Sequence, residues 1–291
     1  METRFLETFL LVAENGSLAE AARRLNITPA AVAQRMQALE DELGKPLLIR
    51  AGRSVQPTDA GHAILDQCRR ILGEVRHLRS FAQNDALSGE LRIGAITTAL
   101  TGILPSALRH LVDTVPAVEV FVLPGTSPDL YQALEGGKID AAILVRPPFT
   151  IPKSLDWCTL RSEPLILLAP EELGEEDPLS LLKSRPFVRY DRNNWGGRLA
   201  DSWLLQRRIR PREWLELDSL EAISVMVSHG LGVSILPDWA RPWPEGLSVA
   251  RIALPGPQQQ REIGLLWPRS APSGRLITVL LDALQPTTTV R

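Results

Sequence analysis

The sequence predicts a mixed fold: an all-α N-terminal segment with a short wing and a long linker helix, then a larger α/β domain of two lobes. Three observations predict it. Two helix starts, at Ser17 and Thr28, lie eleven residues apart with a tight turn between them, which leaves room for one short helix. A seam of apolar residues repeats every 3.5 positions from Ile64 to Ala82. From Glu90 onward the pattern changes to short apolar runs separated by amphipathic helical stretches.

The first helix is predicted from Phe5, Leu6, Phe9, Leu10 and Ala13 and stops at Gly16. Ser17 caps the second helix, and Glu20 three residues later completes a capping box. Thr28 caps the third, with Pro29 at the first helical position, where its missing N–H is harmless. Val32, Met36, Leu39 and Leu43 then keep one face in the core until Gly44 closes the helix. Leu47-Leu48-Ile49, the turn Ala51-Gly52-Arg53 and Val55 read as a two-stranded wing. Together these form a winged helix-turn-helix over 1–60, whose second helix of the motif probes the DNA major groove.

Thr28, Pro29, Ala30, Ala33, Gln34 and Gln37 fall on the outward face of that helix, with Arg35 at its side. Glutamine bonds adenine bidentately and alanine touches the thymine methyl. Arg50 and Arg53 on the wing face phosphate. Residues 1–60 hold seven Lys/Arg against eight Asp/Glu, so any basic surface comes from segregation, with Arg23, Arg24, Arg35, Lys45, Arg50 and Arg53 on the groove-facing side. The same signals would also suit a small helical bundle used for assembly.

Thr58 caps a third long helix, predicted over 58–87, with Ile64, Cys68, Ile71, Val75, Leu78 and Ala82 along its seam and Leu65, Leu72 and Phe81 beside it. Periodicity alone leaves two readings, a helix pair between subunits or packing on the chain's own body. Asn84-Asp85-Ala86-Leu87-Ser88-Gly89 reads as a hinge. Strands are then predicted at Leu91–Ile96, Val118–Leu123 and Ala141–Val145, with helices from Leu100 to Thr114 and Pro128 to Glu135, implying a parallel sheet. A second run follows, with strands at Pro164–Ala169, Phe187–Tyr190, Trp214–Leu217, Val233–Leu236, Leu247–Ile252 and Glu262–Trp267. Its helices are Ser219–Ser228 and Leu276–Leu284. Two such units joined by crossing strands give lobe I at about 90–162 and 254–291, and lobe II at about 163–253.

Several runs resemble the LysR-type transcriptional regulators: Phe5 to Ser17, Ala21-Ala22-Arg23-Arg24-Leu25, Leu39 to Leu47, and Thr58-Asp59-Ala60-Gly61. Leu91-Arg92-Ile93-Gly94, Leu104-Pro105 and Gly230 to Pro237 extend the likeness over almost the whole chain. The resemblance implies an effector domain of the type 2 periplasmic-binding-protein kind, a homodimer through the linker helix, pairing of dimers into tetramers, promoter DNA as partner and a small-molecule effector. The family pattern has Gln, Ser or Pro at the positions of Pro29 and Ala30 and Ser at that of Ala33, so this chain departs from it in the recognition helix with fewer polar side chains. That departure shifts direct readout toward Gln34 and Gln37 and leaves the rest to DNA shape.

In open α/β sheets ligands bind beyond strand C-termini. That rule nominates Thr97 and Thr98 after the first strand, Arg146 after the third, and Tyr190, Asp191 and Trp195 after a strand of lobe II, with Ser219 at a helix start. Hydroxyls and backbone N–H groups suit an anion, and arginine suits a carboxylate bidentately. Each has a plainer alternative: Thr97, Thr98 and Ser219 as caps, Arg146 as a solvated cation, and Tyr190 to Gly197 as an ordinary loop. The resemblance implies that Thr98 touches the effector, which these residues predict to be anionic or zwitterionic.

Composition narrows the rest. The 291 residues are 44% apolar and 23% charged with net charge −2, so no whole-molecule attraction to nucleic acid is expected. Cys68 and Cys158 are far apart without neighbouring ligands, which predicts a reduced, cytoplasmic setting. No secretory leader or membrane span is expected. His62, His77, His110 and His229 are scattered, no metal-ligand spacing occurs, and Gly230-Leu231-Gly232 stands helix-first and strand-second, the reverse of the dinucleotide fingerprint. Glu171-Glu172 and Glu175-Glu176-Asp177 read as a solvated loop. The expectation is a regulator without cofactor, metal or catalytic role. The alternatives are a cytosolic solute-binding-fold protein or enzyme whose N-terminal helices serve assembly, and a DNA-architectural protein without a ligand.

Overall fold

The computed structural model describes residues 1–52, 54–82, 89–271 and 273–285. It divides the chain into two compact units, Met1–Gly89 with Glu135–Lys138, and Glu90–Leu134 with Ile139–Arg291. The expected hinge at 84–88, the end of the linker helix beyond Ala82 and Arg53 lie outside the described residues.

The first unit runs α1 (Thr3–Asn15), α2 (Leu18–Leu25), α3 (Pro29–Leu43), β1 (Leu48–Ala51), β2 (Ser54–Pro57) and α4 (Asp59–Ala82). Gly16, at φ 64°, turns α1 into α2 by bonding its N–H to the Val12 carbonyl at 2.9 Å. Ser17 Oγ accepts from the Glu20 N–H at 3.3 Å and Thr28 Oγ1 from the Ala31 N–H at 3.2 Å. The return half of the expected capping box is replaced, because the Glu20 carboxylate pairs with Arg23 and Arg24 one turn ahead. Leu6, Phe9, Val12, Ala21, Val32, Met36 and Leu39 form the core. Leu43 was expected there but is 42% exposed, standing at the last turn of α3 beyond the facing helices.

The wing is an antiparallel pair with Leu48 opposite Pro57 and Ala51 opposite Ser54. Three contacts hold it. Glu40 Oε1 accepts from the N–H groups of Leu47 (2.6 Å) and Leu48 (3.1 Å), the Val55 N–H bonds the Gly16 carbonyl at 2.8 Å, and Thr58 Oγ1 donates to the Pro46 carbonyl at 2.8 Å. Thr58 also caps α4 through the Gly61 N–H. A Cβ at Gly61 would meet the Leu47 carbonyl oxygen at 2.2 Å, so glycine alone lets α4 lie this close to the wing. The first half of α4 joins the unit's own core through Ile64, Leu65, Cys68, Ile71 and Leu72, while Leu78 farther along is 63% exposed.

The second unit is built on a seven-stranded sheet. Its elements begin β3 (Gly89–Ala95), α5 (Thr97–Gly102), α6 (Leu104–Thr114), β4 (Val118–Pro124), α7 (Ser127–Glu135), β5 (Ala141–Val145) and β6 (Leu155–Pro170). After a 3-10 turn at Glu171–Leu173 come α8 (Pro178–Ser184), β7 (Pro186–Tyr190), α9 (Trp195–Gln206), β8 (Arg212–Leu217) and α10 (Leu220–Ser228). The unit ends with β9 (Ser234–Pro237), β10 (Val249–Ala253), β11 (Gln260–Pro268) and α11 (Gly274–Leu284). The strand order is β10-β6-β11-β5-β3-β4, with β9 also on β6. The parallel pairing expected within the first three strands holds for β3 and β5, while the sheet as a whole is mixed. β11 returns from lobe II in the opposite direction and pairs antiparallel with both β5 and β6.

β6 makes the crossing between lobes. Leu155–Pro164 pair with β11, and Leu165–Pro170 pair with β9 and β10. Leu165, Leu167 and Ala169 face one lobe II core with Trp203 and Phe187, and Ile166 and Leu168 face another with Leu236 and Trp239. The strand begins nine residues before the expected Pro164, since its first half is half-exposed and lacks a continuous apolar run. The expected helix from Leu100 to Thr114 is two helices, with Pro105 in the first turn of the second. α8 follows directly on the acidic run, in a stretch to which the sequence assigned no element, with Asp177 Oδ2 capping it through the Ser180 N–H at 2.8 Å. α9 begins at Trp195, where Gly196-Gly197 had pointed to a loop. A Cβ at Gly197 would sit 1.9 Å from the Asp191 carbonyl oxygen. Among the described residues no helix is long and apolar enough to cross a membrane.

Candidate functional site

On the first unit, Thr28, Pro29, Ala30, Ala33, Gln34 and Gln37 are all exposed along α3. The spacing of 30, 33, 34 and 37 puts these side chains on one face, opposite Val32, Met36 and Leu39. Gln37 Nε2 donates to Asp41 Oδ1 at 2.8 Å, which orients its amide. Arg35 departs from the expectation. It is half-buried and donates from Nη1 to Thr8 Oγ1 at 3.3 Å, because its position on the helix turns it toward α1. Arg23 and Arg24 share Glu20 and so present less free charge than their number suggests. Arg50 is exposed on β1 and forms no ion pair among the described residues. Sequence reading missed Glu40, whose carboxylate fixes the wing from inside.

On the second unit a cavity of about 310 Å³ opens where the C-terminal ends of β3, β4, β7 and β8 meet. Thr97, Thr98, Tyr190 and Ser219 line it. So does Arg261, which the sequence reading had not singled out. Arg261 and Glu163 face each other in register on β11 and β6, next to the place where β6 passes from one lobe to the other. Both are about 1% exposed. Arg261 donates from Nε and Nη2 to Glu163 Oε2 at 2.8 and 2.5 Å, and from Nη2 to Thr98 Oγ1 at 3.2 Å. Glu163 Oε1 also accepts from the Ala240 N–H at 3.1 Å, and Arg161 Nε lies 3.2 Å from it. Two buried charges at this place require such full pairing.

Burial pushes the Tyr190 phenol up. The neighbouring Arg261 opposes that through charge and a hydrogen bond, while Asp191 and Asp218 add to it. The phenol therefore stays a neutral donor beside the guanidinium. Ser219 Oγ is committed to capping α10 through the Ala222 N–H at 3.2 Å, and Ser127 Oγ accepts from the Val145 N–H at 3.1 Å.

Three expected residues lie outside the lining. Arg146 is 54% exposed and paired with Glu262 at 2.7 Å, since β5 ends with it facing solvent. Asp191 Oδ1 accepts from the N–H and side-chain amide of Asn193, a local turn that holds it off the cavity. Trp195 packs edge-on against Tyr131 and Phe149, with ring centroids 5.9 and 5.7 Å away.

A winged helix-turn-helix followed by a two-lobed α/β domain with a polar cavity at its strand ends defines a DNA-reading protein with a ligand-binding half. Two family models match the chain: the bacterial regulatory helix-turn-helix protein of the lysR family over residues 3–62, and the LysR substrate binding domain over 84–288. The chain belongs to the LysR family of transcriptional regulators. It is 32% identical to the HTH-type transcriptional regulator IlvR of Caulobacter vibrioides, across 98% of this chain and 100% of that one. Among solved structures it is similar to CbnR in complex with its target DNA, with TM-score 0.68 and 25% identity over 98% of this chain and 99% of that one. A full-length OxyR variant from Pseudomonas aeruginosa has TM-score 0.71 and 24% identity over 98% and 94% of the two chains, a likeness of fold.

Proposed function

We propose that this chain regulates transcription in response to a small anionic or zwitterionic metabolite bound in the cavity of the second unit. The observation that carries the reading is the group Arg261, Thr98 and Tyr190. Two hydroxyls at strand ends stand beside a buried guanidinium that Glu163 pairs through Nε and Nη2, a cluster of donors suited to a carboxylate. Arg261 and Glu163 sit on the strands that cross between lobes, so a ligand that changes how Arg261 is shared acts at the hinge. Such coupling between sites amounts to about 1–3 kcal/mol, or roughly 5- to 150-fold in DNA affinity.

In this reading α3 lies in the major groove of promoter DNA. Ala30, Ala33, Gln34 and Gln37 face base edges, Thr28 and Pro29 stand at the helix start near the backbone, and the wing carries Arg50 to phosphate. The protein acts in the cytoplasm without catalysing a reaction, as a homodimer through α4 and as a pair of dimers on DNA. The test is a thermal-shift screen of the full-length chain with small carboxylates, aromatic acids and amino acids, with Thr98→Val alongside. A ligand at ~100 Kd adds about 2.7 kcal/mol to the native state. A stabilising compound whose effect is lost in Thr98→Val supports the site. A hit that Thr98→Val leaves unchanged places the ligand elsewhere.

A further inference from the structure

The charges around the cavity are unequal in sign. Arg261 is the one cation in the lining among the described residues, and Glu163 already meets its charge. Asp129, from the start of α7, and Asp218 and Glu221, from the β8–α10 junction, supply three carboxylates to the same lining. None of the three forms an ion pair among the described residues. Asp129 accepts from the Thr126 hydroxyl at 2.7 Å at the start of α7, and Glu221 stands in the first turn of α10. Both helix starts are thereby made less attractive to an anion. Asp218 lies near enough to Tyr190 to disfavour the phenolate.

A ligand entering this space therefore meets two kinds of group. At Thr98 and Tyr190 the hydroxyls are polarised by Arg261 and suit one carboxylate. Elsewhere the charged groups are carboxylates without cationic partners, and they favour a cation and repel a second anion. The volume, about 310 Å³, is at the lower end of the ~300–1,000 Å³ of ligand pockets, which fits a small metabolite.

From this we infer that the effector is an α-amino acid. Its carboxylate meets Thr98, Tyr190 and Arg261, and its ammonium faces Asp218 and Glu221, with Asp129 adding to the field. The inference rests on the reading of this cavity as the effector site and narrows that reading from anions in general to a zwitterion. It assigns Asp218 and Glu221 the role of selecting against 2-oxo acids and dicarboxylates, which share the carboxylate but lack the ammonium.

The test is calorimetric titration of the full-length chain with each L-amino acid, with the 2-oxo acid of the same side chain, and with succinate. The expected result is that an L-amino acid binds, its 2-oxo acid binds at least tenfold more weakly, and succinate does not bind. In the double variant Asp218→Asn, Glu221→Gln that tenfold gap closes, and the 2-oxo acid binds as well as before or better. A gain for the 2-oxo acid cannot come from a damaged fold. A 2-oxo acid or succinate that binds as tightly as any amino acid overturns the zwitterion assignment and leaves the carboxylate site standing. An undiminished gap in the double variant overturns the role of Asp218 and Glu221. If no small carboxylate binds at all, the effector-site reading falls with it.

Discussion

In the first unit, the side chains proposed to meet DNA stand exposed between Thr28 and Gln37 on a single helix, over a core of Leu6, Phe9, Val32 and Leu39. In the second unit, the polar groups of the cavity come from distant parts of the chain. Thr98 and Arg261, 163 residues apart, share a hydrogen bond in a buried place. The first arrangement is a rigid platform whose contact groups can be exchanged without disturbing it. The second has Arg261 and its partner Glu163 buried beside the crossing of β6 between lobes, so a change in that pair also disturbs the packing. A regulator needs both properties, one part that keeps its shape while reading and one whose shape depends on what it holds.

The sharpest way to break this contrast is to remove one partner of the buried pair. Glu163→Ala leaves Arg261 buried without its counter-ion, and the expected loss of stability is about 3–5 kcal/mol. All seven tryptophans fall between Trp157 and Trp267, so urea unfolding followed by tryptophan fluorescence reports the second unit. A loss below ~1 kcal/mol would mean that water reaches the pair, and the contrast between the units would fail. The corresponding change on the platform, Gln34→Ala, should leave stability within about 0.5 kcal/mol. It should cost about 1–3 kcal/mol of discrimination at one base position. Selection from randomised DNA sites checks this, and an unaltered preferred site would remove Gln34 from the readout.

A smaller effect separates the two arginines of the first unit. Arg50→Ala should lower affinity for all sequences alike and flatten the dependence of log K on log salt by ~1. Arg35 faces Thr8, so Arg35→Ala should leave that slope as it is. Anisotropy titrations at several salt concentrations measure both. Equal slopes for the two variants would restore Arg35 to the interface or take Arg50 out of it.

The same contrast governs what could be read without coordinates. Gly16, Ser17, Thr28 and Gly44 mark helix ends through bonds to residues three or four positions away, Pro29 marks one through its fixed φ, and such signals are legible in sequence. Glu20 was misjudged as a capping partner because two arginines one turn ahead compete for it. In the second unit, Thr97, Thr98, Tyr190 and Ser219 could be nominated by the rule of strand ends. Arg146 could not be told from Arg261 in that way. Arg261 owes its place to the register of β11 on β6, and its partner Glu163 precedes a proline that made the strand look as though it began there. Pairing over such distances leaves no periodic trace, and glycine-led α9 looked like a loop for the local reason that glycine disfavours helices.

The weakest expected effect lies at the surface of lobe II and shows what exposure does to a charge pair. Arg189, itself buried, bonds Asp201 at 2.6 Å and also Glu213, while Arg192 reaches Glu213 at 2.7 Å and Glu216 at 3.1 Å. Hydrogen bonds from Arg189 hold the Glu213 carboxyl below its ordinary value, and those from Arg192 do the same for Glu216. A carboxylate whose affinity for protons is lower in the folded chain stabilises the fold above its unfolded pKa. That stabilisation is lost as pH falls through the folded value. The second unit should therefore weaken as pH drops below the ordinary carboxylate range, and Glu216→Gln should make that decline shallower. Both carboxylates are over a third exposed, at 39% and 38%, so solvent screening keeps the contribution near 0.2–1 kcal/mol, and added salt should shrink it further. Tryptophan-monitored unfolding of both proteins at neutral and acid pH, in low and high salt, measures the difference. An equal decline in Glu216→Gln would take the Arg192–Glu216 pair out of the acid sensitivity.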